Sequence, residues 1–307
     1  MKAARNLAPL RQFNKFVIWG LRRKRHTHRY IHMHFFSTLK KLGLPVIWVE
    51  DTPEGNELIT KDDFVISADI AGAHLDPARG AHYVLHNFPD SFAAAIPFKR
   101  RIVLQVYTKG IASIDGVQKW GDCIYLDPSS RTLYQPWGTD LLPEEFRSPL
   151  PGSVRRRRFS FFIGSVWNNE HNQGNLNEIS ALSRALEQLG KKFVNVRSIP
   201  NRLNIGLVRH SCLAPAIGSM WQAENHYLPC RMFKNISYGH LGLSNIPSFD
   251  DVLSDAAITE HQIPEMLDAA LSINDKDFTQ RIAAQQDRIR EYSYDKSLIR
   301  LAEAMAS

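Results

Sequence analysis

The sequence predicts an α/β protein made of two Rossmann-like, doubly wound domains facing each other across a cleft. Three observations carry this prediction. Short β-branched or aromatic runs alternate with longer helical patterns, the mark of βα units around a parallel sheet. The alternation starts twice, once near Lys15 and again near Phe159. Between the two starts lies a proline- and arginine-rich stretch, Leu142–Arg158, in which Pro143, Pro149, Pro151 and Gly152 cluster as in a linker. A chain of 307 residues fits about two domains of ordinary size. The predicted boundaries are therefore 1–141 for the first domain, 142–158 for the linker and 159–285 for the second domain.

The elements follow in order. Lys15-Phe16-Val17-Ile18-Trp19-Gly20 reads as a strand that ends at a glycine. After a basic loop, Tyr30, Ile31, Phe35, Leu39 and Leu42 fall at helical spacing, and Gly43 supplies a C-cap. Pro45-Val46-Ile47-Trp48-Val49, closed by Glu50-Asp51, completes a βαβ unit. Further short strands are expected at Phe64–Ser67, His82–His86, Ile102–Tyr107, Cys123–Leu126 and Thr132–Gln135. In the second series Phe159–Ile163 reads as a buried strand and Gly164-Ser165 as a turn. Leu176, Ile179, Leu182, Leu186 and Leu189 then mark one helix face, with Gly190 as its end. Lys192–Val196, Asn201–His210 and Leu213–Ile217 repeat strand, helix and strand. In such sheets ligands bind beyond the carboxyl ends of the strands, where the strand order reverses.

Composition narrows the function classes. An apolar content of 44% with 22% charged residues excludes a disordered chain. No apolar run reaches the roughly 20 residues that span a bilayer, and the first residues lack a signal-peptide core, so a cytoplasmic protein is expected. Three scattered cysteines, Cys123, Cys212 and Cys230, support neither a disulfide framework nor a cysteine metal site. The balance of 38 Lys+Arg against 31 Asp+Glu, a net +7, favours anionic partners without naming one. Two runs concentrate the charge, Arg22-Arg23-Lys24-Arg25 and Arg155-Arg156-Arg157-Arg158. They read as solvated surface or as a patch docking on the inner face of a membrane or on an anionic glycan. No nucleic-acid module accompanies them, so nucleic acid is not expected as a partner.

Four constellations can carry chemistry. His26-Thr27-His28-Arg29-Tyr30-Ile31-His32-Met33-His34 places four histidines just past a strand, with His28 and His32 on one helical face. This cluster reads as polar lining of a ligand site or as metal ligands; with no acidic or cysteine partners at recognisable spacing, no metal site is assigned. His86 closes a strand in Leu85-His86-Asn87-Phe88-Pro89-Asp90, where an imidazole suits removal of a proton from a hydroxyl; Glu50 or Asp51 could do the same. Phe162-Ile163-Gly164-Ser165-Val166-Trp167 combines a strand with a Gly-Ser turn whose backbone N–H groups can approach an anion. Finally, in Trp221 to Gly239, Pro229 starts a helix carrying Arg231, Lys234 and Asn235. Two cations and an amide near a helix N-terminus suit a diphosphate.

Together these pieces resemble the GT-B class of nucleotide-sugar glycosyltransferases. The resemblance rests on Tyr134-Gln135-Pro136-Trp137-Gly138-Thr139-Asp140-Leu141-Leu142-Pro143, on the Phe-Ile-Gly-Ser start of the second half, and on the Pro-X-Arg-X-Phe-Lys-Asn helix followed by glycine. The N-terminal block is also similar to bacterial and large-virus glycosyltransferases of this kind. The resemblance implies transfer of a sugar from a nucleotide-sugar donor to a hydroxyl of a glycan or lipid-linked acceptor, with no bound metal or cofactor. It implies that residues 286–307 cross back to an acceptor-side first domain. It implies donor contacts from Gly164, Ser165, Trp167, Trp221, Tyr227, Arg231, Lys234 and Asn235. Many retaining members carry glutamates at two positions that here are Tyr227 and Lys234, so inversion is expected, with a base from the first domain in the order His86, Asp51, His28. The alternatives are a histidine-metal hydrolase and a nucleotide- or glycan-binding protein without turnover.

Overall fold

The computed structural model describes residues 6–23 and 26–307, so Lys24 and Arg25 of the first basic run lie outside the described residues. The chain divides into two compact units. Unit 1 comprises Met1–Val106, Gly110–Gln135 and Tyr294–Ser307, and unit 2 comprises Tyr107–Lys109 and Pro136–Ser293.

Unit 1 is built on an eight-stranded sheet. Its strands are β1 (Phe16–Trp19), β2 (Val46–Val49), β3 (Phe64–Ala68), β4 (His82–His86), β5 (Arg101–Gln105), β6 (Gln118–Gly121), β7 (Ile124–Asp127) and β8 (Thr132–Tyr134). Their order is β2-β1-β3-β4-β5-β8-β7-β6. The first six in that order run parallel, and β7 is antiparallel to both of its neighbours, β8 and β6. All four residues of β1 are buried, as expected of a strand covered on both faces. The predicted strands are all present in this unit. Strand β6 was not expected, because Gln118-Lys119-Trp120-Gly121 has no apolar alternation; it is an edge strand with its first two residues exposed, held by the hairpin to β7.

The helix Thr27–Lys41 follows β1. His26 starts it, its Nδ1 accepting from the backbone N–H of His28 at 3.3 Å, the role usually taken by Ser, Thr or Asp. The last helix, Tyr294–Ala306, belongs to the same unit. Its Tyr294 ring packs on Phe35 at 4.8 Å, and Arg300 Nε donates to Gln135 Oε1 at 2.9 Å.

In unit 2, β9 (Phe159–Ile163) and β10 (Lys192–Val196) pair in parallel. The predicted strand Leu213–Ile217 runs beside β9: Cys212 N donates to Phe159 O at 2.7 Å and Phe161 N to Leu213 O at 2.9 Å. Single parallel bridges, Ala216 to Ser244 and Ser244 to Thr259, extend the layer outward. Chain order reverses between β9 and Leu213–Ile217. Phe162 faces a core containing Leu182 and Leu186 of the helix Leu176–Gln188, together with Leu267 and Ile282. Phe161 faces the other core, with Val208 of the helix Asn201–His210 and Tyr238. The unit is thus wound on both faces. Where the chain enters and leaves it, Thr139 N donates to Tyr292 O at 2.8 Å, and a Cβ on Gly138 would stand 1.7 Å from that carbonyl oxygen. No helix of the described residues is long and apolar enough to cross a membrane.

Candidate active site

The best-built constellation lies at the strand-order reversal of unit 2. Pro229 precedes the helix Cys230–Ser237, whose Met232, Phe233 and Ile236 are fully buried. This inward face fixes the helix and turns Arg231 towards the sheet. Arg231 Nε donates to Ile163 O at 2.6 Å and Nη1 to Ile217 O at 3.1 Å, so one guanidinium ties together the carboxyl ends of the two strands. Its carbon lies 4.1 Å from the centre of the Phe162 ring, a cation–π contact. Burial lowers its pKa from the ordinary guanidinium value, opposed by Cys230 and Tyr227; so strong a base stays charged. Gly164, at φ +150°, leaves room for this: a Cβ there would stand 2.5 Å from Arg231 Nη2. A fixed positive charge therefore sits at the strand ends, where anions bind in sheets of this kind.

Around it, Gly164 N is used in the sheet, donating to Val196 O at 3.0 Å. Ser165 opens a loop closed by Asn175, whose Oδ1 accepts from Trp167 N at 3.3 Å. Trp167 itself is 43% exposed. Trp221 and Tyr227 flank Tyr107, with ring centres at 5.2 and 5.5 Å. Burial raises the pKa of both tyrosines, so they stay protonated. Lys234 is half-buried on the same helix as Arg231. Asn235 points elsewhere: its amide donates to Ala214 O at 2.6 Å, joining helix to strand. Tyr107 is the aromatic that sequence reasoning passed over as a strand end; the polar turn Thr108-Lys109-Gly110 behind it was the available signal.

Unit 1 gathers its histidines at the carboxyl ends of β1 and β4. His86 is buried, and its Nδ1 lies 2.8 Å from Leu104 O. A carbonyl only accepts, so Nδ1 carries the proton and the lone pair is on Nε2. Burial lowers the His86 pKa, against the pull of that hydrogen bond, and keeps the ring neutral. The His28 ring meets His86 edge-on at 4.9 Å and stacks on His26 at 5.0 Å. Burial, with further lowering by His86, His26 and His32, takes His28 from 6.5 to about 3. His32 is taken to about 4, again chiefly by burial, and its Nδ1 is buried with no hydrogen-bond partner. Asp51 has a different engagement. Its carboxylate accepts from Trp19 Nε1 at 3.0 Å, Ala73 N at 3.2 Å and His74 N at 3.0 Å, which anchors the loop after β3. Among the described residues no three His, Cys, Asp or Glu side chains converge to hold a metal ion, so the residues present do not fit the histidine-metal hydrolase.

No protein-family profile and no curated protein matches the sequence. Solved structures do. An α-glucosyltransferase in complex with UDP and a 13-mer DNA containing an HMU base matches with TM-score 0.61 at 8% identity, over 95% of this chain and 99% of that one. The DNA-modifying enzyme β-glucosyltransferase matches with TM-score 0.53 at 10% identity, over 95% and 100%. T4 phage BGT in complex with UDP and Mn2+ matches with TM-score 0.53 at 11% identity, over the same shares.

Two expectations are corrected by these structures. Nucleic acid cannot be set aside as a partner, since one similar structure holds DNA and another modifies it. The expectation of no metal or cofactor is likewise withdrawn, because a similar structure holds Mn2+ with its UDP. The described residues of this chain offer no converging ligand set for such an ion. The fold of this chain is that of the GT-B nucleotide-sugar glycosyltransferases.

Proposed function

We propose that this chain is a glycosyltransferase that moves a sugar from a nucleotide diphosphate donor to a hydroxyl carried on DNA. The observation that carries the reading is Arg231, held across the ends of β9 and Leu213–Ile217 beside the bare Cα of Gly164. A nucleotide-sugar reaction develops negative charge on the departing diphosphate, and a fixed cation stabilises that charge in the transition state more than in the ground state. Lys234 adds a second cation, Gly164 and Ser165 form the floor below the phosphates, and Trp167, Trp221 and Tyr227 bound the nucleoside and sugar. His86 acts as base. As the acceptor oxygen bonds to the anomeric carbon, its proton passes to His86 Nε2 and the bond to the diphosphate oxygen breaks. Tyr227 and Lys234 stand where a retaining mechanism would want carboxylates, which favours inversion. Three free cysteines suit a reducing, cytoplasmic setting.

DNA as acceptor is favoured over a glycan or lipid-linked acceptor by the DNA-directed activities named for similar structures; the net charge of +7 suits a polyanion without choosing between them. The test incubates the protein with a panel of nucleotide sugars and DNA carrying a hydroxymethylated base, unmodified DNA, or oligosaccharides. Release of free nucleoside diphosphate should depend on the modified DNA and should fall in Arg231→Ala and His86→Gln. Release that depends on oligosaccharide instead would assign the acceptor to glycans, and full activity in both variants would remove the proposed site.

A further inference from the structure

Arginine is concentrated at the opposite end of the unit 2 sheet from Arg231. Arg155–Arg158 run into the amino end of β9, and Lys191 and Lys192 into the amino end of β10. The two segments are stitched together: Lys191 Nζ donates to Arg155 O at 2.6 Å and Arg157 O at 3.0 Å, and Lys192 N to Arg158 O at 3.0 Å. Two of the arginines hold the backbone, Arg155 through Ile273 O at 2.7 Å and Arg157 through Arg209 O at 2.6 Å. Arg156, Arg158 and Lys192 are exposed. Among the described residues no ion pair joins any of these six cations to a carboxylate; Asp275 acts on Arg157 through space. The crowding is felt by Arg209, whose pKa is lowered by burial and then by Arg147 and Arg157.

We infer that this surface docks the phosphate backbone of duplex DNA at a distance from the reacting nucleotide. The inference rests on the reading of DNA as the acceptor and adds a second contact to it. The cations lie along two chain segments at the amino ends of two strands about 4.8 Å apart, which suits a row of monoanions better than a single phosphate. Duplex DNA presents one charge per about 1.7 Å of its axis, and arginine binds phosphate through paired N–H groups. A five-residue strand is about 17 Å long, so this surface stands about that far from the Arg231 end of the sheet, and a duplex docked here extends beyond a single reacting base pair.

The test is anisotropy of a labelled 30-base-pair duplex with the full chain and no donor, at several salt concentrations, for wild type and Arg156→Ala/Arg158→Ala/Lys192→Ala. Each lost phosphate contact should flatten the log–log salt slope by about 0.9, so the triple variant should lose about 2 to 3 in slope and at least about tenfold in affinity. Arg156→Lys/Arg158→Lys should keep most of the slope. Unchanged affinity and slope in the triple variant would overturn the inference, as would loss of binding to phosphatidylglycerol vesicles with DNA binding intact. Transfer to DNA at unchanged KM by the triple variant would defeat this surface while leaving the acceptor reading standing. Patch-dependent DNA binding without transfer to any DNA would do the reverse.

Discussion

At the scale of single residues, burial sets the protonation of unit 1. His32 is 3% exposed and its pKa is pushed from 6.5 to about 4, so the unfolded chain binds more protons than the folded one between those values. Stability therefore rises with pH through this window, is fully present above about 6.5, and is lost on acidification. Between pH 7 and pH 5 this amounts to about 2 kcal/mol. Urea unfolding at pH 7 and pH 5 should show that loss in wild type and a shallower one in His32→Gln; equal slopes would contradict it. Burial also lowers the His86 pKa from its ordinary value, and His86→Gln should cut kcat by about 10²–10⁴ at neutral pH. At Gly164 both space and conformation forbid a side chain, since a Cβ would meet Arg231 Nη2 at 2.5 Å and φ is +150°. Gly164→Ala should therefore weaken donor binding, read as a smaller thermal shift with nucleoside diphosphate, while the unit stays folded.

At the scale of elements, the helix Cys230–Ser237 depends on what it joins. Asn235 is buried and its amide holds Ala214 O, so Asn235→Ala should cost about 1–3 kcal/mol by leaving that carbonyl unpaired, measured by thermal or urea unfolding. Nearby, Asp140 accepts from Tyr238 Oη and from Asn201 Nδ2, each at 2.6 Å, and so fastens this helix to the entering chain. Gly138→Ala should be more damaging than Asn235→Ala, because its Cβ would overlap the Tyr292 carbonyl. Most elements were legible in the sequence because each carries its own period: Ile179, Leu182 and Leu186 recur at helical spacing and line the buried face of their helix, while Leu176 of the same run is exposed. Strand β6 was not legible, since its pairing comes from β7 and not from its own residues. Asn235 read as a ligand-facing amide for a similar reason: its type and spacing suit a phosphate, and only the tertiary packing shows that Ala214 O takes the donor.

At the scale of the whole molecule, each unit carries its own constellation, a buried arginine at the strand ends of unit 2 and clustered histidines at the strand ends of unit 1. The fold and the position of Arg231 near the start of a helix could be read from residue order, because the βα alternation and the Pro-X-Arg-X-Phe-Lys-Asn helix are local patterns. The acceptor could not be read this way. A net charge of +7 attracts any polyanion, and no short motif separates DNA from an acidic glycan. The most direct measurement is release of nucleoside diphosphate from a nucleotide-sugar panel with hydroxymethylated DNA present, comparing wild type with Arg231→Ala. The account predicts DNA-dependent release that falls by about 10²-fold or more in the variant. Release that is indifferent to DNA, or equal in the two proteins, would contradict it.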